Sequence, residues 1–205
     1  GGEEANPEHQ TTPEAPAVQR MLAEMRDAGL EYAVLESSSH GLSERLNRLG
    51  GVAFDVGVMM NVTHEHLEFH GSWEQYRFDK ANLFRALDKA SGSKRVGTTV
   101  RDIPVFGVAN ADDPSFPYFK AATSKPVFGF SASGADADLS AHDIHSDERG
   151  SSFTISERGG PALDARIELP GAFNVANSLA ALLVVSRLCA RPLESLLPLL
   201  PRLRP

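Results

Sequence analysis

Histidines and carboxylates cluster within seven residues of this chain, in the order His64, Glu65, His66, Glu68 and His70. A pair of histidines two residues apart beside carboxylates is typical of a zinc site used for hydrolysis. A single imidazole joined by carboxylates from elsewhere would instead suit magnesium, which prefers oxygen ligands and keeps several waters. A solvated loop with incidental histidines also fits the composition, so residue types alone leave all three interpretations open.

The cluster belongs to a polar segment, residues 61–70, that directly follows a short apolar run, and two further polar segments, 36–40 and 110–113, do the same. The runs at 32–35, 54–60 and 105–109 are typical of buried parallel strands. Ligands bind at the carboxyl ends of such strands, where all three polar segments would lie. The sequence therefore predicts a single active-site cleft at that edge of the sheet.

The elements between the strands predict an α/β fold, with a mostly parallel sheet and crossover helices. Thr12-Pro13 has the form of a helix N-cap followed by proline, and Gly29 is a suitable stop. Further helices are predicted over 72–87 and from about Asn174, and another strand near 126–130. Short runs at 152–156 and 165–169 predict a small antiparallel β region.

The composition of the chain argues against several classes of protein. The net charge of -7 argues against a general nucleic-acid binder, which needs a basic surface. No apolar run approaches the roughly 20 residues that span a membrane. The single cysteine, Cys189, excludes an internal disulfide, and the polar N-terminus is unlike a signal peptide. We therefore expect a cytoplasmic protein with neither nucleic-acid nor membrane partners.

Five motifs in order extend this interpretation over nearly the whole chain. They are TTPEAP from Thr11, LESSSHGL from Leu35, NVTHEHLEFHGSWEQY with FDKANLF from Asn61, VANADD from Val108 and LPGAFNVAN from Leu169. Together they resemble the Mur ligases, in particular the branch that extends UDP-N-acetylmuramoyl-L-alanyl-D-glutamate. The TTP element and the ESSSHGL segment favour this branch over the related cyanophycin and folate ligases.

The resemblance implies a role for individual residues. The implied magnesium ligands and catalytic groups are Glu36, His66 and Lys80, the last carbamylated so that the amine becomes a carboxylate-like anion. The implied contacts to the muramoyl peptide are Thr11, Thr12, Ser38 and His40, joined by one of Glu44, Arg45 or Arg48. The implied nucleotide contacts are Asn174, which would read adenine, and Asn110 and Asp113.

The implied reaction uses ATP and Mg²⁺ to activate the terminal carboxylate of the muramoyl dipeptide as an acyl phosphate. The amine of an incoming amino acid, diaminopimelate or lysine-like, then attacks. The protein is expected to act as a monomer. Two alternatives stay open: a zinc-dependent hydrolase using the HxHxExH cluster, and a non-catalytic module that binds a sugar nucleotide.

The chain departs from the family pattern because it contains no GxxxxGK[ST] phosphate-binding loop. Residues 1–200 are therefore expected to form the central ATP-binding domain without that loop, and residues 201–205 to begin a linker to a C-terminal domain. On their own, the 205 residues are expected to lack ligase activity.

Overall fold

A computed structural model describes residues 12–63 and 67–203. The helices are α1 (Ala15–Asp27), α2 (Ser39–Leu42), α3 (Leu67–His70), α4 (Trp73–Leu87), α5 (Phe116–Ala121) and α6 (Ala172–Leu188). The strands are β1 (Val56–Met59), β2 (Ser93–Val96), β3 (Thr99–Asp102), β4 (Phe106–Asn110), β5 (Val127–Ser131), β6 (Leu139–Asp147), β7 (Gly150–Glu157) and β8 (Ala162–Ile167). Two short 3-10 helices, Leu193–Ser195 and Leu197–Arg202, follow α6.

The main sheet has six strands in the order β1-β4-β5-β6-β7-β8. Its first four strands are parallel, whereas β6, β7 and β8 pair antiparallel. The predicted α/β class with a small antiparallel region is thus confirmed. The antiparallel strands continue the same sheet, so the hairpins extend the parallel part.

Helices cover both faces of the parallel strands. On one face, Val108 packs in a cluster with Leu179 and Leu183 of α6. On the other, Ala109 packs with Phe84 and the rest of the α4 cluster. Successive residues of a strand point to opposite faces, so the uninterrupted apolar run in β4 fits a strand buried on both sides.

Gly107 is required by the close packing of α4 on β4. A Cβ atom at this position would lie 2.5 Å from Cε1 of Phe84 and 3.1 Å from Cγ2 of Val127. Phe84 is fully buried, so its ring cannot move away without disturbing its neighbours. Gly107→Ala is therefore expected to lower the free energy of unfolding by about 1–3 kcal/mol, measured by urea unfolding.

Gly51→Ala is the matched control for this change. Gly51 is exposed, and its added Cβ would meet only the side-chain amide of Gln19, at 3.4 Å. Equal unfolding midpoints for the two variants would contradict the proposed steric conflict.

The predicted strand at 32–35 is wrong. This segment has no strand structure, and the described sheet ends at β1. Tyr32 and Val34 are 62% and 97% exposed, so the apolar run is not buried as a parallel strand would be. A strand forms only where a neighbouring ladder takes up its backbone groups, and this segment pairs with none in the described chain.

The start of α1 also differs from its prediction. Glu14 is the N-cap and Pro16 lies in the first turn, so Thr12 does not cap the helix. The Thr12 hydroxyl is instead hydrogen-bonded to Ser38. The helix ends as predicted, with Gly29 at a φ of 79°.

The β2–β3 hairpin was absent from the sequence prediction. Its strand Thr99–Asp102 is exposed throughout, so no alternation of apolar and polar residues marks it.

Within the described chain, no single helix is long and apolar enough to cross a membrane. Only α6 taken together with the 3-10 segment Leu193–Arg202 meets that test, across a bend of 112°.

Candidate active site at the carboxyl edge of the sheet

Thr12 and Ser38 meet at the start of α2, although 26 residues separate them. Their hydroxyl oxygens lie 2.7 Å apart, and Oγ1 of Thr12 also accepts a hydrogen bond from the Ser38 backbone at 3.2 Å. Oγ of Ser38 in turn accepts the Gly41 amide and caps α2. The structure thus brings together two of the residues that the sequence assigned to substrate binding.

Arg48 holds the segment from Thr12 to Glu14. Its guanidinium donates to the Thr12 carbonyl at 2.9 Å and pairs with Glu14 at 2.6 Å. Its side chain is only 10% exposed, and both terminal nitrogens of its guanidinium have partners within the fold. Glu44 and Arg45 are exposed, and the Arg45 guanidinium lies 5.0 Å from the centre of the Phe69 ring.

His70 joins this region to α4. Its Nε2 lies 3.0 Å from Oγ of Ser39, and its Nδ1 lies 2.7 Å from Oδ2 of Asp79. His40 is close by, with its ring centre 4.1 Å from that of Phe69 and 5.3 Å from that of His70. Segment 36–40 is therefore in contact with residues 69–70, as the shared-cleft prediction requires.

Asn110 and Asp113 join the ends of β1 and β4. The Asn110 amide donates to the Met60 carbonyl at 3.0 Å. The Asp113 carboxylate accepts from the backbone amides of Val62 and Ser115, both at 2.7 Å. The ends of β1 and β4 thus meet through segment 110–113, and segment 36–40, which does not follow a strand, is joined to the chain beyond β1 through His70.

Removing the Asp113 carboxylate is expected to loosen the segment after β1. Asp113→Ala deletes both acceptors, and losing a hydrogen bond to a charged group costs about 1.5–3 kcal/mol. We expect faster hydrogen exchange at the Val62 and Ser115 amides, measured by NMR or mass spectrometry. Asp136→Ala is the control, because the Asp136 side chain is 84% exposed. Unchanged protection at Val62 would contradict this role.

Asp112 organises the end of β5 in the same way. Burial raises the pKa of its carboxyl, but hydrogen bonds from the Ser131 hydroxyl and the Ala132 amide outweigh burial and lower the pKa below its usual value. A lowered folded-state pKa stabilises the fold above the unfolded pKa, and this contribution is lost as pH falls through the folded pKa.

Lys80 lies in α4, directly after Asp79. Its half-buried side chain points to the Tyr76 hydroxyl, with the amine nitrogen 3.1 Å from the phenol oxygen. If the amine were carbamylated, the same hydroxyl could donate to a carbamate oxygen, so the surroundings suit either form. Glu36, the other described residue of the expected metal set, is exposed.

Two expected residues, Thr11 and His66, lie outside the described residues, as do His64 and Glu65. Within the described chain, no three histidine, cysteine or carboxylate side chains are grouped as a metal site. The last histidine of the HxHxExH pattern is His70, whose two ring nitrogens both have protein partners. This geometry disfavours His70 as a zinc ligand.

Asn174 occupies the first turn of α6. Its side-chain amide donates to the Pro170 carbonyl at 2.8 Å, which fixes the direction of the side chain. Its role toward adenine stays a prediction.

Ser39, Tyr76 and Asp79 were not among the predicted site residues. The position of Asp79 beside Lys80 was a signal for one of them, whereas Ser39 and Tyr76 had none beyond their motifs.

Comparison with known proteins identifies the family of this chain. The family model described as the Mur ligase middle domain matches residues 1–185. The UDP-N-acetylmuramyl-tripeptide synthetase of Treponema denticola is 48% identical over 98% of this chain and 38% of its own length. The UDP-N-acetylmuramoyl-L-alanyl-D-glutamate–2,6-diaminopimelate ligase of Corynebacterium glutamicum is 37% identical over 91% of this chain and 33% of its own.

Solved structures agree. That of a UDP-N-acetylmuramoyl-L-alanyl-D-glutamate–2,6-diaminopimelate ligase aligns with a TM-score of 0.78 and 26% identity, over 94% of this chain and 36% of that one. The Thermotoga maritima MurF ligase in complex with ADP shares the fold, with a TM-score of 0.61 at 17% identity over 85% of this chain and 38% of that one. This chain spans under two-fifths of the length of each of these relatives. It belongs to the Mur ligase family and contains the family's middle domain.

Proposed function

We propose that this chain is the central, ATP-using part of a ligase that adds an amino acid to UDP-N-acetylmuramoyl-L-alanyl-D-glutamate during peptidoglycan precursor synthesis. The observation that carries the proposal is the set of contacts that join segment 110–113 to the end of β1 and segment 36–40 to His70. The relatives give further support, because they are named as a UDP-N-acetylmuramyl-tripeptide synthetase and a diaminopimelate ligase.

The proposed reaction has two balanced steps. A terminal carboxylate oxygen of the muramoyl dipeptide attacks the γ-phosphorus of ATP, which gives an acyl phosphate and ADP. The amine nitrogen of the incoming amino acid then attacks the acyl carbon. The carbon–oxygen bond to phosphate breaks, phosphate leaves and the nitrogen loses a proton. Catalysis of this kind depends mainly on positioning and on stabilising charge.

The TTP and ESSSHGL segments form the proposed muramoyl-peptide side. Thr11, Thr12, Ser38 and His40 would hold the anionic dipeptide. Among the three further candidates, the structure favours Arg45 and Glu44 over Arg48. Arg48 is buried and engaged with Thr12 and Glu14, whereas Arg45 is exposed beside Phe69.

The proposed magnesium ligands are Glu36, His66 and carbamylated Lys80. A bound magnesium would offset the charge of the transferring phosphoryl group. Whether these residues suit magnesium depends on the state of Lys80, because an ammonium cannot ligate a cation whereas a carbamate oxygen can. The Tyr76 hydroxyl, 3.1 Å from the Lys80 nitrogen, is compatible with this assignment, because it could donate to a carbamate oxygen as well as accept from the free amine.

Asn174 is the proposed adenine contact, because an amide can donate and accept in one plane. Asn110 and Asp113 would serve the nucleotide by holding the segment after β1 beside it. Their side chains are already engaged with Met60, Val62 and Ser115. The proposal includes a cytoplasmic, monomeric enzyme and a diamino acid as second substrate.

A coupled assay for ADP release tests this function in the full-length protein. We expect turnover that requires the muramoyl dipeptide and an amino acid, with diaminopimelate and lysine compared side by side. Binding of the muramoyl dipeptide without turnover would favour a sugar-nucleotide binding module. Zinc-dependent hydrolysis without ATP consumption would favour the hydrolase.

A further inference from the structure

A buried chain of three polar side chains crosses the site. Ser39 in α2, His70 at the end of α3 and Asp79 in α4 are linked through 3.0 Å and 2.7 Å contacts. The His70 side chain is fully buried and that of Asp79 is 5% exposed. Three separate elements are therefore joined by directional hydrogen bonds that are shielded from water.

The chemistry of the groups fixes most of the hydrogen positions. A carboxylate only accepts, so Nδ1 of His70 carries the hydrogen that binds Asp79. The other Asp79 oxygen accepts from the Gln75 side chain at 3.0 Å. Nε2 of His70 shares a hydrogen with the Ser39 hydroxyl. Both ring nitrogens are thus engaged, and the ring has one defined orientation.

This set has the residue types of a hydrolytic triad but not its accessibility. A nucleophilic serine must reach a substrate carbonyl, whereas Ser39 is only 5% exposed. The three residues therefore do not form a hydrolytic centre.

The neighbours of the three residues indicate what they position. Ser39 lies between Ser38 and His40, which belong to the proposed muramoyl-peptide side. Asp79 directly precedes Lys80. The Tyr76 ring, which contacts the His70 ring at 5.2 Å, carries the hydroxyl that binds the Lys80 amine.

We propose that Ser39, His70 and Asp79 form a positioning bridge. This bridge holds the proposed muramoyl-peptide side, which includes Ser38 and His40, at a fixed distance from Lys80. The bridge thereby aligns the muramoyl carboxylate with the phosphoryl-transfer region. This inference rests on the proposed function. None of the three residues touches a reacting atom, and the bridge acts through Ser38 and His40 on one side and Lys80 on the other.

Ser39→Ala and His70→Gln test the bridge in the full-length ligase. Each is expected to lower kcat/KM for the muramoyl dipeptide by about 10–100-fold, as loss of a group that orients a ligand does. The KM for ATP is expected to stay near wild type, whereas the urea midpoint of Ser39→Ala should fall modestly, because the buried Nε2 of His70 loses its partner. His142→Gln is the matched control, because His142 makes a 3.2 Å contact to Ser156 in an exposed hairpin.

A double variant separates a connected bridge from two independent contacts. If Ser39 and Asp79 act through the same imidazole, Ser39→Ala combined with Asp79→Asn loses little more activity than the worse single variant. Multiplying losses would overturn the bridge as a unit.

The wild-type assay distinguishes the two proposals. Absence of ligase turnover in the wild-type enzyme overturns the proposed function and the bridge together. Wild-type turnover with unchanged kinetics in folded Ser39→Ala overturns the bridge alone. Equal losses toward ATP and the muramoyl dipeptide, in step with a lower urea midpoint, would also overturn it. Ser39→Ala removes a single hydroxyl, so it keeps the test decisive if His70→Gln does not fold.

Discussion

Lys80→Ala is expected to lower kcat of the full-length ligase by about 10²–10³-fold, as removal of a group that stabilises transition-state charge does. Formate or acetate should restore part of the activity, because a small carboxylate can occupy the place of the carbamate. Lys80→Arg should stay inactive, since a guanidinium keeps its positive charge and would not supply the anionic oxygens. Steady-state kinetics with and without added carboxylate measures both effects.

Lys89→Ala is the control for this set, because Lys89 is exposed near the end of α4. An active Lys80→Arg enzyme would contradict the carbamate assignment, since it would show that a permanent cation suffices at this position. Depleting carbon dioxide from the buffer should lower wild-type activity, and returning bicarbonate should restore it.

Thr12→Val is expected to lower kcat/KM for the muramoyl dipeptide by about tenfold or more, which corresponds to the net worth of one to two hydrogen bonds. Valine keeps the shape of threonine but removes the hydroxyl that pairs with Oγ of Ser38 and accepts the Ser38 amide. Thr12 is buried, so water cannot replace the lost partner. The KM for ATP should not change.

Thr12→Ser should retain most of the activity, because it keeps the hydroxyl and loses only a methyl group. Thr123→Val is the matched control, since the Thr123 hydroxyl binds Asp88 at an exposed position. An enzyme that is equally active with valine and serine at position 12 would show that this contact does not organise the substrate side.

The strands around the site were predictable because their patterns are local. The runs at 54–60 and 105–109 became β1 and β4, whose ends meet through Asn110 and Met60. The run at 32–35 has a similar pattern but is not a strand. Whether this run forms a strand depends on another strand lying alongside it to pair with its backbone groups, and a local sequence pattern does not predict that neighbour.

The role of His70 shows the same limit within the site. Its spacing from His64 and His66 suggested a metal ligand, but its partners are Ser39 and Asp79. Ser39 lies 31 residues away, so no local spacing rule could identify it. The resemblance assigned Thr12 and Ser38 to one substrate, but it did not predict the hydrogen bond between them.

Transfer of ¹⁸O from the substrate tests the proposed chemistry most directly. The terminal carboxylate of the muramoyl dipeptide would be labelled with ¹⁸O and the full-length enzyme supplied with ATP and the amino acid. An acyl phosphate forms through a carboxylate oxygen, so its breakdown must carry one label into inorganic phosphate, detectable by mass spectrometry. Unlabelled phosphate, or label appearing in AMP, would contradict activation through an acyl phosphate.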